Sequence, residues 1–181
     1  MEPLIRFFAQ AARLKTLKRA GWGRCGVEPC ESVADHTFGV ALLALFLLPK
    51  NPVHGIDRDH CIAMALAHDL AESIVGDITP HDAVEPQEKH RREEAAMREL
   101  AATLGDDEVL KLWQEFEQAQ TEEAKCVRDL DVIEMAHQAR VYERSGKLKP
   151  AEAARFVDSA RARVQTPIGR KLLDSILRTG A

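Results

Sequence analysis

Four polar residues sit where the chain otherwise places apolar ones. Val33, His36, Val40, Leu43 and Leu47 recur at spacings of three and four, so His36 shares an apolar helical stripe. Cys61, Met64 and His68 form a second stripe, with Asp69 beside it. Ala124, Val127, Asp131 and Met135 form a third. One core histidine alone reads as a hydrogen-bonded structural residue, and Asp131 alone could pair with Arg128 or Arg140. Four such residues ask for one explanation, because a buried carboxylate is costly unless paired or metal-bound. Two imidazoles and two carboxylates suit a first-row or borderline divalent metal.

The residues after His68 extend the pattern. His68 and Glu72 are one helical turn apart, and Gly76-Asp77 follows. His68, Asp69, Glu72 and Asp77 are thus expected around one helix C-terminus, where carboxylates meet the negative end of the dipole. A cation would relieve them. The competing reading is a solvated acidic helix end.

Helices must carry these residues. The chain has 26 alanines and nine aromatic residues among 181, and runs of β-branched residues are absent. No proline falls between Gln87 and Lys149. The pattern predicts about eight helices, near 4–20, 32–48, 57–75, 87–104, 106–118, 121–145, 150–163 and 167–178. Ser32, Asp57 and Thr121 are the expected N-caps. Segments 21–31 and 76–86 read as loops. The result is an all-α fold, one compact bundle over residues 1–181. Its motif core spans 32–135, and the helices of 150–178 pack on it.

Composition narrows the partners. The 25 Lys+Arg against 29 Asp+Glu give a net charge of −4, which argues against a nucleic-acid polymer or an anionic membrane. The apolar run Phe38–Pro49 is too short to span a bilayer, which takes about 20 residues. Cys25, Cys30, Cys61 and Cys126 need not staple a chain of this length, so a reducing cytoplasm is expected. Cys61 and Cys126 read as small core hydrophobes, and Cys25 with Cys30 makes a weak zinc pair.

The order His36, His68-Asp69, Asp131 resembles the signature of the HD-domain metal-dependent phosphohydrolases. Glu31–His36, Ala67–Glu72, Gly76–Ile78, Glu88–Glu94 and Lys125–Met135 together look like the 5′-deoxynucleotidase branch, over about residues 4 to 145. The resemblance implies an all-α HD domain that removes phosphate from deoxyribonucleoside 5′-monophosphates. It implies that His36, His68, Asp69 and Asp131 hold one divalent metal, with Co, Mn, Fe and Mg all open. Glu72, Asp77 and the Ile78 carbonyl would hold a second cation, expected as Mg.

The resemblance also gives roles. Glu72 would act near the attacking water or the leaving oxygen; in the mechanism such a site allows, Asp69 or Glu72 accepts the water's proton and Glu72 or a solvent network returns one to the leaving oxygen. Asp77 and Thr79 would contact substrate, and Trp22 would lie near sugar and base. Gly21 stands where the family's nucleotidase prototype has an arginine, which leaves Arg19, Arg24 and Lys18 as candidates for orienting phosphate. A homodimer is expected on the same ground.

Other readings remain at this level. An HD hydrolase acting on a cyclic or polyphosphorylated nucleotide would need further histidines, but His54, His60, His81, His90 and His137 lack ligand spacing. A non-catalytic metal- or nucleotide-binding module would not need Glu72 and Asp77. Trp113 and Phe116, three apart, face either the core or a partner helix.

Overall fold

A computed structural model describes residues 1–49 and 55–179. Pro52 and His54 lie outside the described residues. Within them the chain forms ten α-helices and one 3-10 turn, with no β-strand. The helices are α1 (Glu2–Ala11), α2 (Ala20–Arg24), α3 (Val33–Leu47), α4 (Arg58–Ala67), α5 (Glu72–Val75), α6 (Pro86–Leu104), α7 (Glu108–Gln118), α8 (Glu122–Arg144), α9 (Pro150–Arg163) and α10 (Pro167–Thr179). The 3-10 turn, Ala12–Lys15, follows α1.

The expected caps are in place. Ser32 and Asp35 form a reciprocal capping box at α3. Asp57 accepts from the Asp59 and His60 amides at α4, and Thr121 accepts from the Ala124 amide at α8.

Two expected helices are each broken, which is why ten form rather than eight. Residues 4–20 do not make one helix. After the 3-10 turn, the Val33 amide donates to the Leu17 carbonyl and the Arg19 amide to the Glu31 carbonyl. These bonds pull Leu17–Arg19 into an extended stretch bridged at Lys18–Ser32, and α2 then occupies part of the expected loop 21–31. Residues 57–75 break at His68. The Glu72 amide donates to the Asp69 carbonyl and the Ser73 amide to the Leu70 carbonyl, an i to i+3 tightening that separates α4 from α5. Gly76, at φ 82°, then turns the chain towards Asp77.

Helix α8 is the central element and packs against α3, α4, α7, α9 and α10. Val40, Met64, Val127 and Leu130 are fully buried where α3, α4 and α8 meet. Each such side chain contributes about 1.5–3 kcal/mol by leaving water. Cys61 and Cys126 pack in the same cluster as free thiols. On the other flank Val132, Ile133 and Ala136 meet Val157, Ala160, Val164 and Leu173, so α9 and α10 dock on α8 as expected. Asp129 ties that corner by accepting from the Gln165 and Thr166 amides and the Thr166 hydroxyl. Trp113 and Phe116 are buried in the core. No helix is long and apolar enough to cross a membrane among the described residues.

Candidate active site

Three elements bring the polar residues together. The first full turn of α3 supplies His36, the α4–α5 junction supplies His68, Asp69 and Glu72, and the middle of α8 supplies Asp131. His36 Nε2 lies 3.2 Å from Asp131 Oδ1 and 3.9 Å from Asp69 Oδ2. His68 Nε2 lies 3.3 Å from Asp69 Oδ2. Asp131 therefore turns to His36. Arg128 instead donates to the Phe116 and Glu117 carbonyls, and Arg140 pairs with Glu143.

The other ring nitrogens are committed. His36 Nδ1 donates to Glu134 Oε2 at 2.6 Å, and His68 Nδ1 donates to the Ala65 carbonyl at 2.6 Å. Both imidazoles thus turn Nε2 towards the two aspartates, with the tautomer set from behind. Both Nε2 atoms and Glu72 Oε2 are buried without a hydrogen-bond partner. Each orphaned group costs about 1–3 kcal/mol, and a shared cation is a partner that would satisfy the two imidazole nitrogens together. His36, His68 and Asp69 are close enough to hold one, with Asp131 against His36. The Asp69 and Asp131 side chains are 15% and 19% exposed, so the site opens to solvent through its carboxylates.

A second set, Glu31, His36 and Glu134, also lies within ligand reach. There the His36 Nδ1–H already bonds Glu134, so the Nε2 face suits an ion better. Glu72 and Asp77 belong to neither set. The Asp77 carboxylate accepts from the Ala20 amide at 2.7 Å and so anchors the start of α2. Glu72 opens α5 rather than closing a long helix, contrary to the expected stack at one C-terminus.

Electrostatics set the protonation states. Burial and Arg19 press the His36 imidazolium down, but the close approach of the Asp131 and Glu134 carboxylates outweighs them and raises its pKa to about 10. Burial also opposes the charged form of His68, and Asp69 more than reverses it. Burial would raise Asp69, yet the neighbouring His68 and Arg19 hold it below the usual carboxylate range. Asp131 is held low against burial by His36. Glu72 goes the other way: burial, Asp69 and Asp77 push its carboxyl well above the ordinary value. Burial and Glu134 raise Glu31 to about 7, although Trp22 Nε1 donates to it at 2.7 Å.

His68, Asp69, Glu72 and Asp131 line a cavity of about 450 Å³, large enough for a small molecule. Of the candidate phosphate cations, Arg19 enters it and lies 3.4 Å from Asp69 Oδ2. Arg24 is at the wall, ion-paired with Asp82. Lys18 donates to the Cys30 carbonyl instead. Thr79 lines the cavity, but its amide and hydroxyl both bond Asp82. Trp22 forms an apolar wall against Phe156, with ring centroids 4.4 Å apart, and edge-on to Tyr142. His81 borders the cavity, His60 pairs with Glu115, and His90 stacks on Trp113.

Glu134, Glu31 and Lys89 lie inside segments that carry the resemblance, but the sequence reading gives none of them a role. Glu134 was within reach, since it follows Asp131 by one helical turn.

Residues 11–170 match the HD-domain family model. This chain belongs to the HD-domain family. The 5′-deoxynucleotidase HDDC2 of Dictyostelium discoideum is 40% identical over 95% of both chains. The mouse (Mus musculus) protein of the same name is 41% identical over 91% of this chain and 81% of its own. A crystal structure of a Pyrococcus horikoshii protein superposes with a TM-score of 0.79 at 32% identity, over 96% of this chain and 98% of that one. In this HD-domain chain the His68-Asp69 doublet stands at the break between α4 and α5.

Proposed function

We propose that this HD-domain protein is a metal-dependent 5′-deoxynucleotidase, releasing phosphate from deoxyribonucleoside 5′-monophosphates. The observation that carries the reading is the pair of buried, unpartnered Nε2 atoms of His36 and His68, turned towards Asp69 and Asp131. The relatives named as 5′-deoxynucleotidases support the substrate class. His36, His68, Asp69 and Asp131 would hold a divalent metal, with Co, Mn, Fe and Mg all compatible with the donors. When bound, the ion supplies Lewis acidity and a more acidic water.

The chain's own groups divide the remaining work. Arg19 brings a fixed positive charge to the phosphate. Asp69, held ionised by His68 and Arg19, accepts the proton of the water that attacks phosphorus. Glu72, held protonated by burial and its acidic neighbours, gives its proton to the 5′-oxygen as the P–O bond breaks. The products are a nucleoside and inorganic phosphate. Trp22 and Phe156 offer an apolar wall for the sugar and base. Asp77 acts through α2, whose first amide it holds, and so places Trp22. A second cation, expected as Mg, would draw on Asp77, the Ile78 carbonyl and Glu72, the last only in its ionised form and so as the alternative to its role as proton donor.

Two coarser features accompany the reading. Four free cysteines suit a reducing cytoplasm. The exposed Phe38, Leu42, Leu45 and Phe46 of α3 offer an apolar face for a homodimer.

The test is phosphate release from a panel of deoxy- and ribonucleoside monophosphates by Mn²⁺-loaded wild type and Asp69→Ala. Wild type should favour the deoxy substrates, and Asp69→Ala should lose at least about 100-fold in rate. Equal rates for the two proteins would overturn the assignment.

A further inference from the structure

Lys89 is in the wrong place for a surface lysine. It lies in the first turns of α6, which begins at Pro86, near the positive end of the helix dipole. Its partner Glu93 follows by four residues, and Lys before Glu is the less favourable order for such a pair. Glu93 is itself buried, with its side chain only 10% exposed and Lys89 Nζ 3.5 Å away. Helix stability therefore does not account for the pair.

The cavity does account for it. Lys89 and Glu93 both line the space above Asp69 and Glu72. The other lining cations have employment or lie at an edge. Arg24 is paired with Asp82, and Arg128 is spent on the Phe116 and Glu117 carbonyls. Arg163 is exposed at the end of α9 and borders a second cavity with Arg128. Arg19 and Lys89 remain, each paired with a carboxylate that itself lines the cavity, Asp69 and Glu93, and both charges act on Glu72. They come from different elements, the extended stretch before α2 and the start of α6. A phosphate dianion brought against Asp69, Glu72 and Asp131 needs more positive charge than Arg19 alone provides.

We infer that Lys89 is a phosphate-binding residue of this site, which with Arg19 takes the phosphoryl oxygens of the substrate, and that Glu93 is the positioning residue holding its ammonium in the cavity. The inference rests on the phosphohydrolase reading and adds to it the cation that the glycine at position 21 left unassigned.

The experiment titrates inorganic phosphate into Mn²⁺-loaded wild type, Lys89→Met and Lys89→Arg by calorimetry, with metal content measured on each. Steady-state kinetics on a deoxynucleoside monophosphate run in parallel. Lys89→Met should bind phosphate at least about tenfold more weakly, the worth of one charge-assisted hydrogen bond, with unchanged metal content and a raised KM. Lys89→Arg should recover most of that affinity, and Glu93→Gln should lose a smaller part. If Lys89→Met does not fold, Lys89→Gln takes its place. Phosphate affinity within twofold of wild type in the folded, metal-loaded variant would overturn the inference. So would a loss matched by equal loss of metal, which would mark a structural role. Phosphate affinity that depends on Lys89 in a protein inactive on every monophosphate would uphold this inference while the proposed substrate failed.

Discussion

His36 and Glu134 form a buried pair across the α3–α8 interface, with Nδ1 and Oε2 2.6 Å apart and the imidazole fully enclosed. The pair links the packing of two core helices to the orientation of a metal-ligand candidate. Glu134 touches neither the cavity nor the other ligands named here, yet it decides which imidazole nitrogen faces Asp131.

Replacing the carboxylate by its amide tests that role. Glu134→Gln keeps the shape but removes the charge that orients and strengthens the imidazole. Metal affinity should fall about 10- to 100-fold, the usual effect of losing such a partner, with the helical content unchanged. Competition with a chelator such as EDTA, followed by metal analysis, measures it. Wild-type affinity in Glu134→Gln would show that the His36 orientation is set by packing alone.

The metal-free protein should have a pH optimum of stability on the acidic side. His36 has a folded pKa of about 10 against an unfolded value near 6.5. Its contribution is fully present below about pH 6.5 and is lost as pH rises through 10. Glu31, raised to about 7, loses its contribution in the same direction, from about pH 4.5 upward. Asp69 and Asp131, both lowered, act oppositely: their contribution is present above about pH 4 and lost on acidification. Thermal unfolding of the metal-free protein across pH 4 to 10 should show Tm declining from mildly acidic to alkaline conditions. Metal binding takes the place of the imidazole protons, so it should release protons, and the loaded protein should keep its Tm at neutral pH. A flat metal-free profile from pH 6 to 9 would refute the coupling.

Much of this arrangement could be read before the fold was in hand, and the exceptions share a cause. Ser32, Asp57 and Thr121 marked helix starts because a cap is a local device. His36, His68 and Asp131 stood out because they break an apolar stripe. The break after Thr16 did not, because the partners that unwind it, Glu31 and Val33, are distant in the sequence. The junction at His68 was hidden for a related reason, since Ala67-His68-Asp69-Leu70 has no helix breaker and its tightening is visible only in the hydrogen bonds. Glu134 and Lys89 went unnoticed because a glutamate or lysine on a helix ordinarily faces water. Only the tertiary packing shows that one is buried and the other leans into a cavity.

Gly39 supplies the last prediction, one where the sign follows from competing magnitudes. In the middle of α3, Gly→Ala should ordinarily stabilise by about 1 kcal/mol through helix propensity. Here an added Cβ would stand 2.8 Å from Glu134 Oε1 and 2.9 Å from its Cγ. Glu134 cannot swing away freely, because its carboxylate is engaged by His36 Nδ1. Overpacking costs about 1–3 kcal/mol, and a lost buried hydrogen bond adds about 1–3 kcal/mol, so the penalty exceeds the propensity gain. Gly39→Ala should lower Tm by about 2–4 °C for each net kcal/mol at this chain length, and weaken metal binding with it. In a Glu134→Ala background the obstacle is gone, and the same change should be neutral or stabilising. Thermal unfolding of the four proteins of this cycle gives the answer. An equal drop in both backgrounds would mean that Gly39 is required for something other than room for Glu134.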